Sequence, residues 1–147
     1  MTLRNVISSV EQALQTAGYV RAPENFTLDR VPASSAHRSY TLGRLEIRPR
    51  YLGSGVADYL GARLPLLLLF RVHGPHNASG SFAEAYLDVL DAYQELETAL
   101  VSDQLQVSGE NNAVEFAVLQ PLFSTDSQEY LLLSITLTLD VMRHMNT

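Results

Sequence analysis

The side chains best able to do chemistry in this sequence fall in a few short stretches. His73 and His76 make an H-x-x-H pair, a spacing at which histidines do bind metals. Here they straddle Gly74-Pro75, with no cysteine in the chain and no carboxylate close by in sequence. The ordinary reading, histidines at a strand end and in a loop, is the stronger one. Ser34, Ser35 and His37 bring hydroxyls near an imidazole, but a nucleophile needs a rigid, sharp turn and an oriented base, and the surrounding residues supply neither. Gly53-Ser54-Gly55 is a fragment of a glycine loop without the helix start and Lys-Ser/Thr of a phosphate cradle. Glu84, Asp88, Asp91 and Glu95 recur at three- and four-residue steps. That is helical spacing, whereas Ca²⁺ is usually held by loop oxygens at alternating positions. The stripe therefore reads as a solvated or partner-facing helix flank. None of these constellations predicts an enzyme, a cofactor or a metal site.

Arg38, Arg44, Arg48 and Arg50 form the one basic cluster, with Tyr40 and Tyr51 beside it. Charge interleaved with stacking aromatics is how single-stranded nucleic acid is gripped. Against that stands a sequence pI near 5.1. A subunit interface or a solvated sheet face suits the cluster better.

The totals bound the rest. The chain has 147 residues, one domain's worth, and no cysteine, which excludes disulfides, thiolate metal sites and cysteine nucleophiles. Every one of its ten basic residues is arginine. The longest apolar run, Leu64–Phe70, is far too short to span a membrane. The N-terminus is amphipathic rather than continuously apolar, so it is not a secretory signal. The glycosylation-like triplets at Asn25 and Asn77 read as chance matches. A soluble, intracellular protein is expected. The net charge of −6 hides an asymmetry: residues 1–73 hold nine arginines against five acids, net +4, and residues 74–147 hold Arg143 against eleven acids, net −10. Either the halves pair within one subunit or face water, or one face of a subunit meets the opposite face of a neighbour. Complementarity of the second kind steers and registers assembly more than it glues it.

The elements that must carry these residues are organised around the last one. In Tyr130–Met142, Leu131, Leu133, Ile135, Leu137, Leu139 and Val141 share one parity, and Leu132, Ser134, Thr136, Thr138 and Asp140 the other. A pleated strand sends alternate side chains to opposite faces, so this predicts one apolar and one hydroxylated face. Its length would be roughly 43 Å at the usual rise, long for a strand, so it should be the spine of a sheet. Arg63–His73 is a second strand, apolar on both faces and hence interior, with Pro65 near its start. Tyr40–Arg50 is a third, with Gly43 breaking phase as a bulge would. Val114–Gln120 is a fourth, forming an antiparallel hairpin with the last. Residues 3–17 are predicted helical from an apolar stripe (Leu3, Val6, Ile7, Val10, Leu14, Ala17), with Gly18 as a left-handed cap. A second helix follows a capping box at Ser81 and Glu84, its apolar stripe being Phe82, Tyr86, Val89, Tyr93, Leu96 and Leu100. Tyr51–Ala62 reads as a long loop or arm between the first two strands. The order α-β-β-α-β-β predicts an α+β fold, one domain over residues 1–147, with two helices packed on a mainly antiparallel sheet.

With that order of elements and the stretch FTLDRVPASSAHRSYTL at residues 26–42, the chain resembles the tail terminator proteins of long-tailed (siphovirus- and myovirus-type) bacteriophages. The resemblance runs through the amphipathic first helix, the glycine-rich connector at 51–62, the helix SFAEAYLDVLDAYQEL and the closing hairpin. It implies a non-enzymatic virion protein without a cofactor, located in the tail and neck after assembly in the host cytoplasm. Such a protein forms a homohexameric ring on the finished tail tube, ends tail elongation and presents a surface for head–tail joining. The partners implied are its own copies, the tail tube protein and the head–tail connector or neck protein. DNA would pass through the lumen without specific binding, and no membrane is involved. Oligomer or tube contacts are then expected at Arg44, Arg48, Arg50, Tyr51, Asp58 and Tyr59, and the Glu84/Asp88/Asp91/Glu95 stripe is expected to face the lumen or a partner. The competing readings are another neck or head-completion protein, and a small-ligand-binding α+β domain.

Overall fold

In chain order the elements are α1 (Leu3–Thr16), β1 (Val20–Arg21), β2 (Ser39–Leu42), β3 (Glu46–Arg50), β4 (Tyr59–Arg71), α2 (Phe82–Leu100), β5 (Glu110–Phe123) and β6 (Glu129–Met142). The computed structural model describes residues 3–23, 25, 37–50, 59–72, 82–101, 110–123 and 129–142. The fold is α+β: two helices and a six-stranded, mostly antiparallel open sheet ordered β1-β2-β4-β6-β5, with β3 also paired to β4.

β6 lies between β4 and β5, paired along both edges. Its register with β4 runs unbroken from Tyr59 opposite Met142 to Arg71 opposite Tyr130. Its register with β5 slips once, between Val114 and Phe116, leaving Glu115 as the extra residue. A bulge of this kind re-aims a side chain, and the Glu115 carboxylate accordingly meets Arg63 and Thr138. Leu131, Leu133, Ile135, Leu137 and Leu139 of β6 are buried with Leu64, Leu66, Leu68 and Phe70 of β4, under Val6, Val10 and Leu14 of α1 and Val89 and Leu96 of α2. On the other face, Leu67, Leu69, Tyr130 and Leu132 form a smaller buried cluster with Ala22. That explains why β4 is apolar on both parities.

The structure redraws several boundaries. β4 begins at Tyr59, so residues 59–62 of the expected loop are strand and Pro65 sits mid-strand. The expected strand over 40–50 is two, β2 and β3, sharing one edge of β4. Leu42 faces Leu66 and Glu46 faces Arg63, four steps on one side against three on the other. The extra residue is the bulge anticipated near Gly43, and it lies opposite Pro65, where the ladder must in any case be interrupted. β1 is a further, two-residue parallel strand.

α1 ends as its sequence dictates. Gly18 takes a φ of 97°, its amide donates to the Gln15 carbonyl, and the Tyr19 amide donates to the Leu14 carbonyl, the paired bonds of a Schellman cap. Tyr40 then ties the helix to the sheet. Its fully buried ring carries a hydroxyl 3.1 Å from both Glu11 Oε1, to which it donates, and Gln15 Nε2, from which it accepts.

Candidate interaction surface

The strand order turns the charge asymmetry of the sequence into an asymmetry of shape. β1 to β4, from the net-positive half, occupy one end of the sheet, and β6 and β5, from the acidic half, the other. Among the described residues both ends are open: β5 pairs only with β6, and β3 only with β4. Unpaired strand edges are templates for further pairing.

At the positive end, Arg44 is exposed between β2 and β3. Arg48 has 67% of its side chain exposed and stands 3.8 Å from Glu46. Arg50 lies opposite Tyr59 in the β3–β4 register. Tyr51 and Asp58 lie outside the described residues, as do Ser34, Ser35, Gly53–Gly55, His73 and His76. Arg63 is engaged, its guanidinium 2.8 Å from Glu115 and 3.7 Å from Glu46. Two members of the basic–aromatic cluster are structural. Tyr40 is buried and offers no stacking face. Arg38 adopts a φ of 58°, and in that left-handed conformation its amide donates to Leu69 while its carbonyl accepts from Val20. Its guanidinium lies over the Tyr19 ring, 5.4 Å from the centroid.

α2 presents a different buried stripe from the one its large residues suggest. Ala85, Val89, Ala92, Leu96 and Leu100 face the core, while Phe82 and Tyr86 are 42% and 37% exposed. Small alanines let the helix approach closely, and the aromatics are rotated onto an outer flank with Leu90. The helix bears five acids and no base. Glu84, Asp88, Asp91 and Glu95 are all exposed on the flank away from Phe82, Tyr86 and Leu90. Asp88, Asp91 and Glu95, though not Glu84, line a cleft of about 270 Å³ whose other wall is His37, Arg38, Phe70 and Arg71. His37 turns Nδ1 toward the Arg71 amide and accepts its hydrogen bond at 3.0 Å.

A second recess, about 210 Å³, opens beside Arg48, Arg63, Thr138 and Asp140 on the opposite face of the sheet. Gly61 lines it, and a Cβ there would stand 3.1 Å from the Arg48 carbonyl. Among the described residues no group of three or more His, Asp or Glu side chains could hold a metal ion, and no helix is long and apolar enough to cross a membrane.

The exposed Phe82–Tyr86–Leu90 flank and the pairing of Arg63 with Glu115 were not legible beforehand. The first was hidden by counting large residues and discounting alanines; the second depends on a bulge that only the register reveals. Neither a scan against protein-family models nor a search of curated proteins gave a match.

Proposed function

We propose that the protein is a structural component of a phage virion: a tail terminator that assembles as a closed ring on the tail tube, ends its growth and offers the exposed rim to the head's connector. One observation carries the assembly part of this reading. The sheet is open at both ends, and its two ends carry opposite charge. A subunit built this way favours heterologous, head-to-tail contacts, which close into rings when the rotation permits. Two-fold association would instead bring like ends together. The terminator identity rests on the resemblance in the order of elements and in the stretch at 26–42, and the homohexamer comes with it.

Arg44, Arg48, Arg50, Tyr51, Asp58 and Tyr59 are assigned to the contacts with neighbours or tube on the same basis. The acidic flank of α2 suits a lumen that lets DNA pass, since phosphates are held by arginine and lysine, not by carboxylates. The test is direct. Purified protein added to polymerising tail tubes should stop elongation at substoichiometric ratios to tube subunits. Unchanged length distributions would remove the terminator reading, and binding on the head side of the neck without any effect on length would favour the neighbouring neck protein.

The cleft between α2 and the end of β4 gives the small-ligand alternative a specific basis. Asp88, Asp91 and Glu95 face His37, Arg38 and Arg71 across about 270 Å³. A large ligand-dependent rise in melting temperature would support that reading instead.

A further inference from the structure

Polar groups of opposite kind face each other across the cleft between α2 and the end of β4. Asp88, Asp91 and Glu95 line one side, His37 and Arg38 the other. Phe70 and Val89 add apolar lining. The two sides do not neutralise each other: among the described residues no ion pair joins Arg38 to Asp88, Asp91 or Glu95.

The basic side is fixed in place. Arg38 is held at a φ of 58° by backbone bonds to Leu69 and Val20, and backbone kept in so sparsely populated a region clusters at ligand clamps. His37 Nδ1 accepts the Arg71 amide at 3.0 Å, so the neutral ring carries its proton on Nε2 as a donor. That ring is braced edge to face against Phe70. Tyr19, 3% exposed, packs on Phe70 and under the Arg38 guanidinium, and its hydroxyl has no partner among the described residues. Arg38 and Glu95, one from each side of the cleft, are the charges that bear on that hydroxyl.

We infer that the cleft binds a small zwitterion, an ammonium and a carboxylate joined by a short carbon chain. The ammonium takes Asp88, Asp91 and Glu95. The carboxylate takes the Arg38 guanidinium and the His37 Nε2–H, and the chain lies along Phe70 and Val89. Carboxylates only accept and guanidinium only donates, so each side of the cleft satisfies one end of such a molecule and neither satisfies both. The volume, about 270 Å³, falls just under the range of about 300–1,000 Å³ usual for ligand pockets, which suits a molecule of amino-acid size. The inference rests on the small-ligand reading of this cleft, not on the ring, and gives that reading its chemistry.

Three molecules of one chain length separate the two ends. ε-Aminocaproate carries both charges, hexylamine only the ammonium and caproate only the carboxylate. The expected result is a rise of several degrees in melting temperature with saturating ε-aminocaproate and little with either of the others. Amide shifts in an NMR titration should centre on His37, Arg38 and residues 85–95. Asp88→Asn combined with Glu95→Gln, both exposed positions, should abolish both effects while circular dichroism stays that of the unaltered chain. An equal rise with hexylamine would overturn the zwitterion and leave the cleft a cation site. No rise and no amide shift with any of the three would remove the ligand reading of the cleft as well. Effects that persist in the double variant would put the binding elsewhere and overturn the inference.

Discussion

Gly43 donates its amide to the Pro65 carbonyl at 2.7 Å, and no side chain fits between them. A Cβ on residue 43 would come within 2.9 Å of the Pro65 Cβ and 3.2 Å of its Cγ. This contact is the joint at which β2 hands over to β3 along the edge of β4. It sets the one-residue slip that places Ile47 on the helix side and Arg48 on the other.

Gly43→Ala should therefore destabilise the fold by about 1–3 kcal/mol, the usual cost of forcing atoms into a packed site. Urea denaturation followed by circular dichroism measures it. A midpoint equal to that of the unaltered chain would mean the joint is slack.

Tyr40→Phe keeps the buried ring and deletes the hydroxyl shared by Glu11 and Gln15. Glu11 retains its 2.7 Å pair with Arg21, so the loss should be about 1 kcal/mol, the net worth of ordinary hydrogen bonds. A loss several times larger would show that α1 depends on this one tether.

Tyr19 sets a pH limit. Its ring is buried against Phe70, edge to face, and its hydroxyl has no hydrogen-bond partner among the described residues. Burial raises the phenol above its ordinary value; Arg38 opposes that shift and Glu95 adds to it. The unfolded chain then releases this proton first as pH rises. The stabilisation is complete below about pH 10 and is lost as pH climbs toward the folded value. Tyr19→Phe should flatten the alkaline limb of stability against pH while leaving neutral stability equal or higher by up to about 1–2 kcal/mol. Tyr40 and Tyr93, raised chiefly by burial as well, account for the slope that remains. An unaltered alkaline limb would contradict the assignment.

Three arginines near one another should fail in different ways. Arg63 holds Glu115 and Glu46, so Arg63→Glu should cost the monomer about 1 kcal/mol through lost pairs and new repulsion. Charge reversal at Arg48 and Arg50 together should leave the monomer's circular dichroism unchanged and impair assembly, read by sedimentation. Normal assembly of that double variant would take these residues out of the interface.

Much of this architecture was legible because strand periodicity has little competition. Leu131–Leu139 alternates and Leu64–Phe70 is apolar on both faces, and both stretches are strands, the second covered on each side. Gly18 announced a cap through its conformational freedom, and Gly43 a bulge by breaking the alternation of its stretch. The failures are tertiary. Phe82 and Tyr86 dominate any hydrophobic stripe drawn on α2, yet Ala85 and Ala92 are what the sheet admits. Tyr59–Ala62 looked like loop because its partners, β3 on one edge and the distant β6 on the other, supply the strand. Arg38 seemed part of an open basic patch, whereas its backbone links β1 to β4 and its side chain covers Tyr19. Ile47 becomes an exposed apolar position only once the Gly43 bulge has fixed its face, which the sequence alone does not reveal.

The central claim is that this chain closes on its own copies head to tail. Native mass spectrometry across a concentration series tests it most directly. The account predicts monomer in exchange with a single closed oligomer, a homohexamer, and nothing larger. Monomer alone at every concentration, or a ladder of masses without an upper limit, would contradict it.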